Sequence, residues 1–288
     1  MKRYEGAGVL FDIHTDIGEG PSWDAGAGQL SWVDILGGRV YVANLERIVD
    51  VFEIGAHVGA ALPEAGGGFL VARRDGFVQL AIDGGQVPLA LPLEHQPDLR
   101  FNDAKCDPRG RAWAGTMSYE FSLDRGVLYR LDGRTAMPEI TSVGLSNGLG
   151  WSPDGRTMYL ADSWARRISA YDFDMDAGRT SGGRTLVDFS GDEAVPDGMS
   201  VDDEGCLWVA MWGGWEVRRF APDGRQVGAV PLPVGQPSSC CFAGDLLVIT
   251  TAANGLDETA LLAQPHAGAL FSVRTGVTGP SATPWIAG

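Results

Sequence analysis

Four residues with oxygen-donor side chains recur at one place in a repeated unit. Asn102, Asn147 and Asp197 each stand eight residues before a turn glycine (Gly110, Gly155 and Gly205), and Glu19 stands nine before Gly28. The same offset falls on Gly68 and Gln236 in the two remaining units. Each of the four lies beside a glycine or another polar residue, in GEGP (18–21), RFND (100–103), SNGL (146–149) and PDGM (196–199). Turn chemistry explains any single Asp-Gly or Asn-Gly pair, but four in one register do not follow from it. Carboxylate and amide oxygens that converge without His or Cys suit a hard divalent cation such as Ca²⁺, Mg²⁺ or Mn²⁺. A cation also supplies the charge partner that buried carboxylates need.

The elements that must position these residues are read from the repeat itself. A Gly-containing turn between apolar runs appears in AGAGQLSWVD, RRDGFVQLA, DPRGRAWAG, SPDGRTMYLAD, DDEGCLWVA and FAGDLLVIT, with turn glycines Gly28, Gly76, Gly110, Gly155, Gly205 and Gly244. Such turns between apolar runs are hairpin signals. Each unit has a second hairpin arm: GGRVYVANL, GGQVPLAL, GVLYRLDG, RRISAYDFD, WEVRRFAPDG and GALFSVRTG. Four short strands per unit, six times over, predict an all-β fold, a six-bladed β-propeller with a central metal site. Residues 1–288 are expected to form a single propeller domain. The last arm, near 268–274, needs a strand from near 8–14 to complete its sheet. No stretch has a helical period with caps. Equivalent positions in propeller units lie at equal height, so the four oxygen donors should ring one end of the central channel.

The bulk properties narrow the partners. Of 288 residues, 22 are basic and 37 acidic, for a net charge of -15. A chain this acidic repels phosphate backbones, which argues against nucleic acid, and attracts cations. No apolar run approaches a membrane span, and the first twenty residues lack the apolar core of a signal peptide. Cys106, Cys206, Cys240 and Cys241 match neither a disulfide framework nor a CxxC metal site. Reduced thiols and a cytoplasmic location are expected, with no membrane partner, in a monomer or weak oligomer.

Taken together, GEGPSW (18–23), RFNDAKCDPRGRAWAGTM (100–117), SNGLGWSPDGRTMYLADS (146–163), PDGMSVDDEGCLWVA (196–210) and HAGALF (266–271) resemble the gluconolactonase/regucalcin family, also called senescence marker proteins. The likeness runs from about residue 15 to 275. It implies a six-bladed propeller with one divalent ion (Ca²⁺, Zn²⁺, Mn²⁺, Mg²⁺ or Fe²⁺) and hydrolysis of a small sugar lactone. Carried over by position, it implies Glu19, Asn147 and Asp197 as metal ligands and Asp197 as general base. Arg100, Asn102 and Glu120 would bind substrate, with Glu120 on a lid loop between Gly115 and Gly126, and Asp103 would lie beside the site. One departure is visible, since the family's NDGK reads NDAK here. If position 104 needs a positive φ, Ala104 strains the backbone near Asn102.

A lactone is a cyclic ester whose hydrolysis passes through an oxyanion. A divalent ion can stabilise that charge and acidify a water, and a carboxylate at the ion can take the water's proton. Arg100 and Asn102 offer donors to sugar hydroxyls, and Glu120 an acceptor. Two other functions fit the same scaffold, a metal-dependent phosphotriesterase or arylesterase and a non-enzymatic calcium-binding regulator. The polar set Arg100, Asn102 and Glu120 favours the lactonase over the first, and the sequence offers no partner surface for the second. GLSNG (144–148) has the form of a nucleophile elbow, but a turn and a strand follow Ser146 where a helix is required. DFDMDAG (172–178) starts like a calcium loop, yet its Gly is one place late and its twelfth position is Gly183, so a solvated turn between blades is expected. His14, His57, His95 and His266 are too scattered for a metal site. Trp113 and Trp208, at equivalent repeat positions, read as blade packing.

Overall fold

In the computed structural model, which describes residues 1–287, the strands form six antiparallel sheets around one channel. The innermost strands, one per sheet and here numbered by blade I to VI, are Gly18–Asp24, Val58–Pro63, Leu99–Cys106, Ser146–Trp151, Val195–Val201 and Pro237–Ala243. Each packs against the innermost strands of both neighbouring blades, and the ring closes between VI and I. This is the six-bladed propeller expected from the repeat.

Closure of the last blade also follows the expectation. Gly8–Phe11 pairs with Leu270–Arg274 as the outermost strand of blade VI. An unanticipated strand, Lys2–Arg3, adds in parallel to Gln226–Pro231 at the edge of blade V. A six-residue helix, Glu258–Ala263, is also additional to the expectation; the Asp257 side chain caps it by accepting from the Ala260 amide. No helix among the described residues is long and apolar enough to cross a membrane.

Alternation along the strands sends apolar residues to both faces of every sheet, because each blade is covered by a neighbour on either side. The core is accordingly six inter-blade clusters, one per seam. Cys240 faces the seam between V and VI, and the next residue, Cys241, faces the seam between VI and I. All four cysteines are buried and free. Burial pushes the Cys240 thiol up to about 12, so these thiols are inert packing groups.

Trp113 and Trp208 are fully buried, as expected of blade packing. Each indole Nε1 donates to an aspartate six residues earlier, Asp107 at 3.2 Å and Asp202 at 2.8 Å. The same carboxylates take an arginine, Arg111 and Arg219, at 2.7 and 2.6 Å. These nodes tie each turn to its own sheet.

Two readings of the repeat need correction. RRDGFVQLA spans the second and third strands of blade II, so its unit was read one strand late. The inner hairpin of that blade turns at Glu64–Gly68, and the position equivalent to Asn102 is Gly59, not Gly68. In blade VI the inner hairpin is shorter, and Ser238 takes the equivalent place, with Gln236 in the loop before it. The DFDMDAG turn joins two strands within blade IV and does not run between blades.

The tail after blade VI crosses the channel end remote from residues 19, 147 and 197. Its backbone bonds to Gly244 of VI, Asp203 of V, Trp23 of I, Pro63 and Ala65 of II, and Gly110 of III. Pro280–Thr283 help wall a cavity of about 260 Å³ there, with Asp103, Lys105 and Ser200.

Candidate metal centre

All six innermost strands are bulged, and at one height. The pairing register shifts between Glu19 and Ser22, Val58 and Ala60, Phe101 and Ala104, Ser146 and Leu149, Pro196 and Met199, and Pro237 and Ser239. A bulge re-aims side chains that regular pleating would send into the seams. Asn102, Asn147 and Asp197 sit inside these irregularities and Glu19, paired with Val33, borders its own, which explains how polar residues occupy strand interiors.

The bulged backbones also approach one another closely, which is where glycine is required. A Cβ on Gly198 would lie 2.1 Å from Ser239 Oγ, and one on Gly59 would lie 2.3 Å from the Asn102 carbonyl oxygen. Ala104 is different. It is buried in the Leu99–Cys106 strand opposite Ala114, and its φ is not positive. The expected strain from the missing glycine is therefore not present.

Glu19, Asn147 and Asp197 are all buried, with relative exposures of 4%, 5% and 6%. Burial holds the Glu19 carboxyl well above the usual carboxylate range, and Asp197 and Asp103 push the same way; the Gly20 amide and Arg100 pull it down. Burial, followed by Asp103, likewise raises Asp197 well above its usual range, against the Gly198 amide, the Asn147 amide and Arg100. Glu19 and Asp197 are thus desolvated carboxyls that feel the further negative charge of Asp103, with Arg100 the cation that offsets both. Such a pair protonates unless a further cation joins it.

Asn147 shows what that cation would meet. Ser163 Oγ donates to the Pro196 carbonyl at 2.7 Å, so its free lone pair accepts from Asn147 Nδ2 at 3.1 Å. The serine fixes which end of the amide is the nitrogen. Asn147 Oδ1 is then buried without a hydrogen-bond partner. An orphaned oxygen costs about 1–3 kcal/mol, and with two buried carboxylates beside it the donor set fits a hard divalent ion.

A second acidic cluster, Asp202, Glu204 and Cys206, has ligand atoms close enough to hold a metal. Its chemistry is already complete. Asp202 accepts from Arg219 Nε and Nη2, from Trp208 Nε1 and from the Glu204 and Cys206 amides, and Arg219 also holds Glu204 at 2.6 Å.

Arg100 and Asn102 lie on the blade III strand beside the acids. Arg100 Nη1 donates to the Phe101 carbonyl at 3.0 Å and to Asn102 Oδ1 at 2.7 Å, while Asn102 Nδ2 donates to the Ser146 carbonyl at 3.0 Å. Asn102 thus steadies Arg100 and keeps one N–H free, and the other donors of the guanidinium remain for a ligand. Burial pulls Arg100 down to about 10, while Tyr119, Glu19 and Asp197 support its charge. Glu120 is exposed on the loop between Ala112–Ser118 and Gly126–Asp132.

The sequence reading missed several residues here. Tyr119 stacks its ring 5.9 Å from the Arg100 guanidinium, and its hydroxyl lies 2.6 Å from His57 Nδ1. Burial lowers His57, helped by Arg100 and Arg74. Ser163, which aims Asn147, was also unforeseen. Ser146 is fully buried with its hydroxyl unpartnered and no histidine bonded to it, which removes it as a nucleophile.

Comparison with known proteins agrees with this architecture. Residues 17–253 match the SMP-30/Gluconolactonase/LRE-like region. Regucalcin of Xenopus laevis is 37% identical, with 93% of this chain and 94% of that protein covered. The putative sugar lactone lactonase YvrE of Bacillus subtilis is 35% identical, with 95% and 96% covered. Among solved structures, a calcium-binding protein, regucalcin, from Agrobacterium tumefaciens superposes with a TM-score of 0.94 at 26% identity, covering 99% of both chains.

Proposed function

The chain belongs to the SMP-30/Gluconolactonase/LRE-like family, and from that footing we propose that it hydrolyses a small sugar lactone with one divalent ion held by Glu19, Asn147 and Asp197. The observation that carries the reading is the buried, partnerless Asn147 Oδ1 beside two desolvated carboxyls. Relatives named as lactonase and as calcium-binding support it. The oxygen-only donor set favours Ca²⁺, Mg²⁺ or Mn²⁺ over softer ions.

When bound, such an ion polarises an ester carbonyl and acidifies a water. The protein's part is positional and basic. Arg100 offers its free donors to the lactone's hydroxyls, with Asn102 holding the guanidinium in place, and Glu120 accepts from a further hydroxyl. The Asp197 carboxylate takes a proton from the water that adds to the carbonyl carbon. The ring C–O bond then breaks, the departing ring oxygen takes up a proton, and a hydroxy acid is left.

The test is a panel of aldonolactones and one organophosphate, assayed on chelated protein with Ca²⁺, Mg²⁺, Mn²⁺ or Zn²⁺ restored. Ion-dependent lactone turnover that Asp197→Ala abolishes is expected. Turnover that survives the chelator or Asp197→Ala would sink the mechanism. Ion binding with no turnover would favour a calcium-binding regulator.

A further inference from the structure

We propose that Phe121 and Trp164 form a second sugar subsite at the channel mouth, so that the preferred lactone carries another neutral sugar ring beyond the one that opens; this rests on the lactonase reading. Phe121 is 57% exposed and Trp164 37%, and their rings meet at 5.3 Å and 85°. Many exposed apolar residues elsewhere, such as Val49, Val51 and Val87, are single aliphatics on outer strands, which is ordinary for a protein surface. The aromatic pair differs in three respects.

The two rings come from different blades and meet beside the candidate site. Trp164 directly follows Ser163, which aims Asn147, and Phe121 directly follows Glu120. Phe121 is also held in the left-handed region, at φ 53°. A bulky residue in the left-handed region is unfavourable and gathers at ligand clamps.

The surroundings select the ligand. A sugar ring has an apolar C–H face, which packs on an aromatic ring, and a rim of hydroxyls. The perpendicular rings make a corner for the first, and the exposed Glu120 carboxylate next to Phe121 accepts from the second. A purely apolar group would leave that carboxylate unused, and the net charge of -15 disfavours an anionic extension such as a sugar phosphate.

The experiment compares glucono-1,5-lactone with cellobiono- and maltobiono-1,5-lactone on wild type, Phe121→Ala, Trp164→Ala and the ring-conserving Trp164→Phe. Calorimetric binding of cellobionate, maltobionate and gluconate runs alongside. The wild type should show a lower KM for at least one disaccharide lactone. Each alanine variant should raise that KM roughly three- to tenfold, leave the monosaccharide KM within about twofold and weaken the matching acid in parallel, while Trp164→Phe recovers most of the loss. Equal KM values in the wild type, or variants that affect both sizes alike, would overturn the subsite. If no lactone is hydrolysed, the lactonase reading fails and calorimetry decides alone. A disaccharide acid that binds more tightly than gluconate, only while both rings are present, upholds the subsite; equal binding overturns it.

Discussion

Asn147→Leu separates the two roles of its amide. Leucine is close to asparagine in size, so the perturbation is chemical. In the ion-free protein it removes the bond from Nδ2 to Ser163 Oγ, worth about 0.5–1.5 kcal/mol, and the amide's support of Asp197, of similar size. Ser163 keeps the partner of its own hydrogen, the Pro196 carbonyl. The substitution also removes the unpartnered Oδ1, whose burial costs about 1–3 kcal/mol. Losses and gain nearly cancel, so the chelated variant should melt close to the wild type. With an ion present the balance changes, because one of three proposed ligands is gone. Even supporting partners of metal ligands are worth ten- to a hundredfold in affinity, so at saturating ion the variant should forfeit about 1.4–2.7 kcal/mol of linked stabilisation. That corresponds to about 2–5 °C of the ion-induced rise in Tm. Scanning calorimetry with a chelator and then with excess Ca²⁺ or Mn²⁺ measures both. A chelated variant several degrees less stable than wild type, or an unchanged ion-induced rise, would refute the reasoning.

The remaining expectations concern pH, the second acidic cluster and the altered loop. Glu19 and Asp197 have folded-state values raised above their usual 4.5 and 3.8. Their favourable contribution is therefore complete below about pH 4 and lost as pH rises through the raised values. Chelated protein should lose Tm on going from pH 5 to 8, and Asp197→Asn should flatten that slope, in thermal melts at matched ionic strength. Asp202→Ala leaves the buried Arg219 with the exposed Glu204 as its one carboxylate, which should cost about 3–5 kcal/mol. Denaturant unfolding would show that loss, with ion affinity by calorimetry unchanged if the central channel is the metal site. Ala104→Gly, which restores the family residue, should destabilise by about 0.5–1 kcal/mol because no positive φ is needed at 104. A stabilised variant in urea titration would contradict this.

What could be read in the chain was whatever the repeat carries at constant offset. Asn102, Asn147 and Asp197 fall at one distance from a turn because the inner hairpins of blades III, IV and V have equal length. Blade II was misread because Asp75-Gly76 is as good a turn as any of the inner ones; local chemistry does not reveal which hairpin of a blade it closes. Ser238 was displaced because its hairpin is shorter. The bulges were invisible, since they are relations between paired strands and leave no fixed mark in either one. Ser163 and the His57–Tyr119 pair were hidden for a related reason: their partners lie 16 and 62 residues away and in other strands or blades. The ligand roles themselves came from likeness to a family, because register shows which residues share a height and not which of them bind.

The tail that bonds to five blades lies across one end of the channel. Under the lactonase reading, one doorway then serves both the arriving lactone and the departing acid, and a lingering product blocks its successor. The reaction converts a neutral guest into an anion inside a protein of charge -15, so the same acidity that draws in the ion helps to evict what the ion's site produces. Turnover by this chain should accordingly respond to added salt through product release, with screening slowing the exit while leaving the entry of the uncharged lactone unaffected.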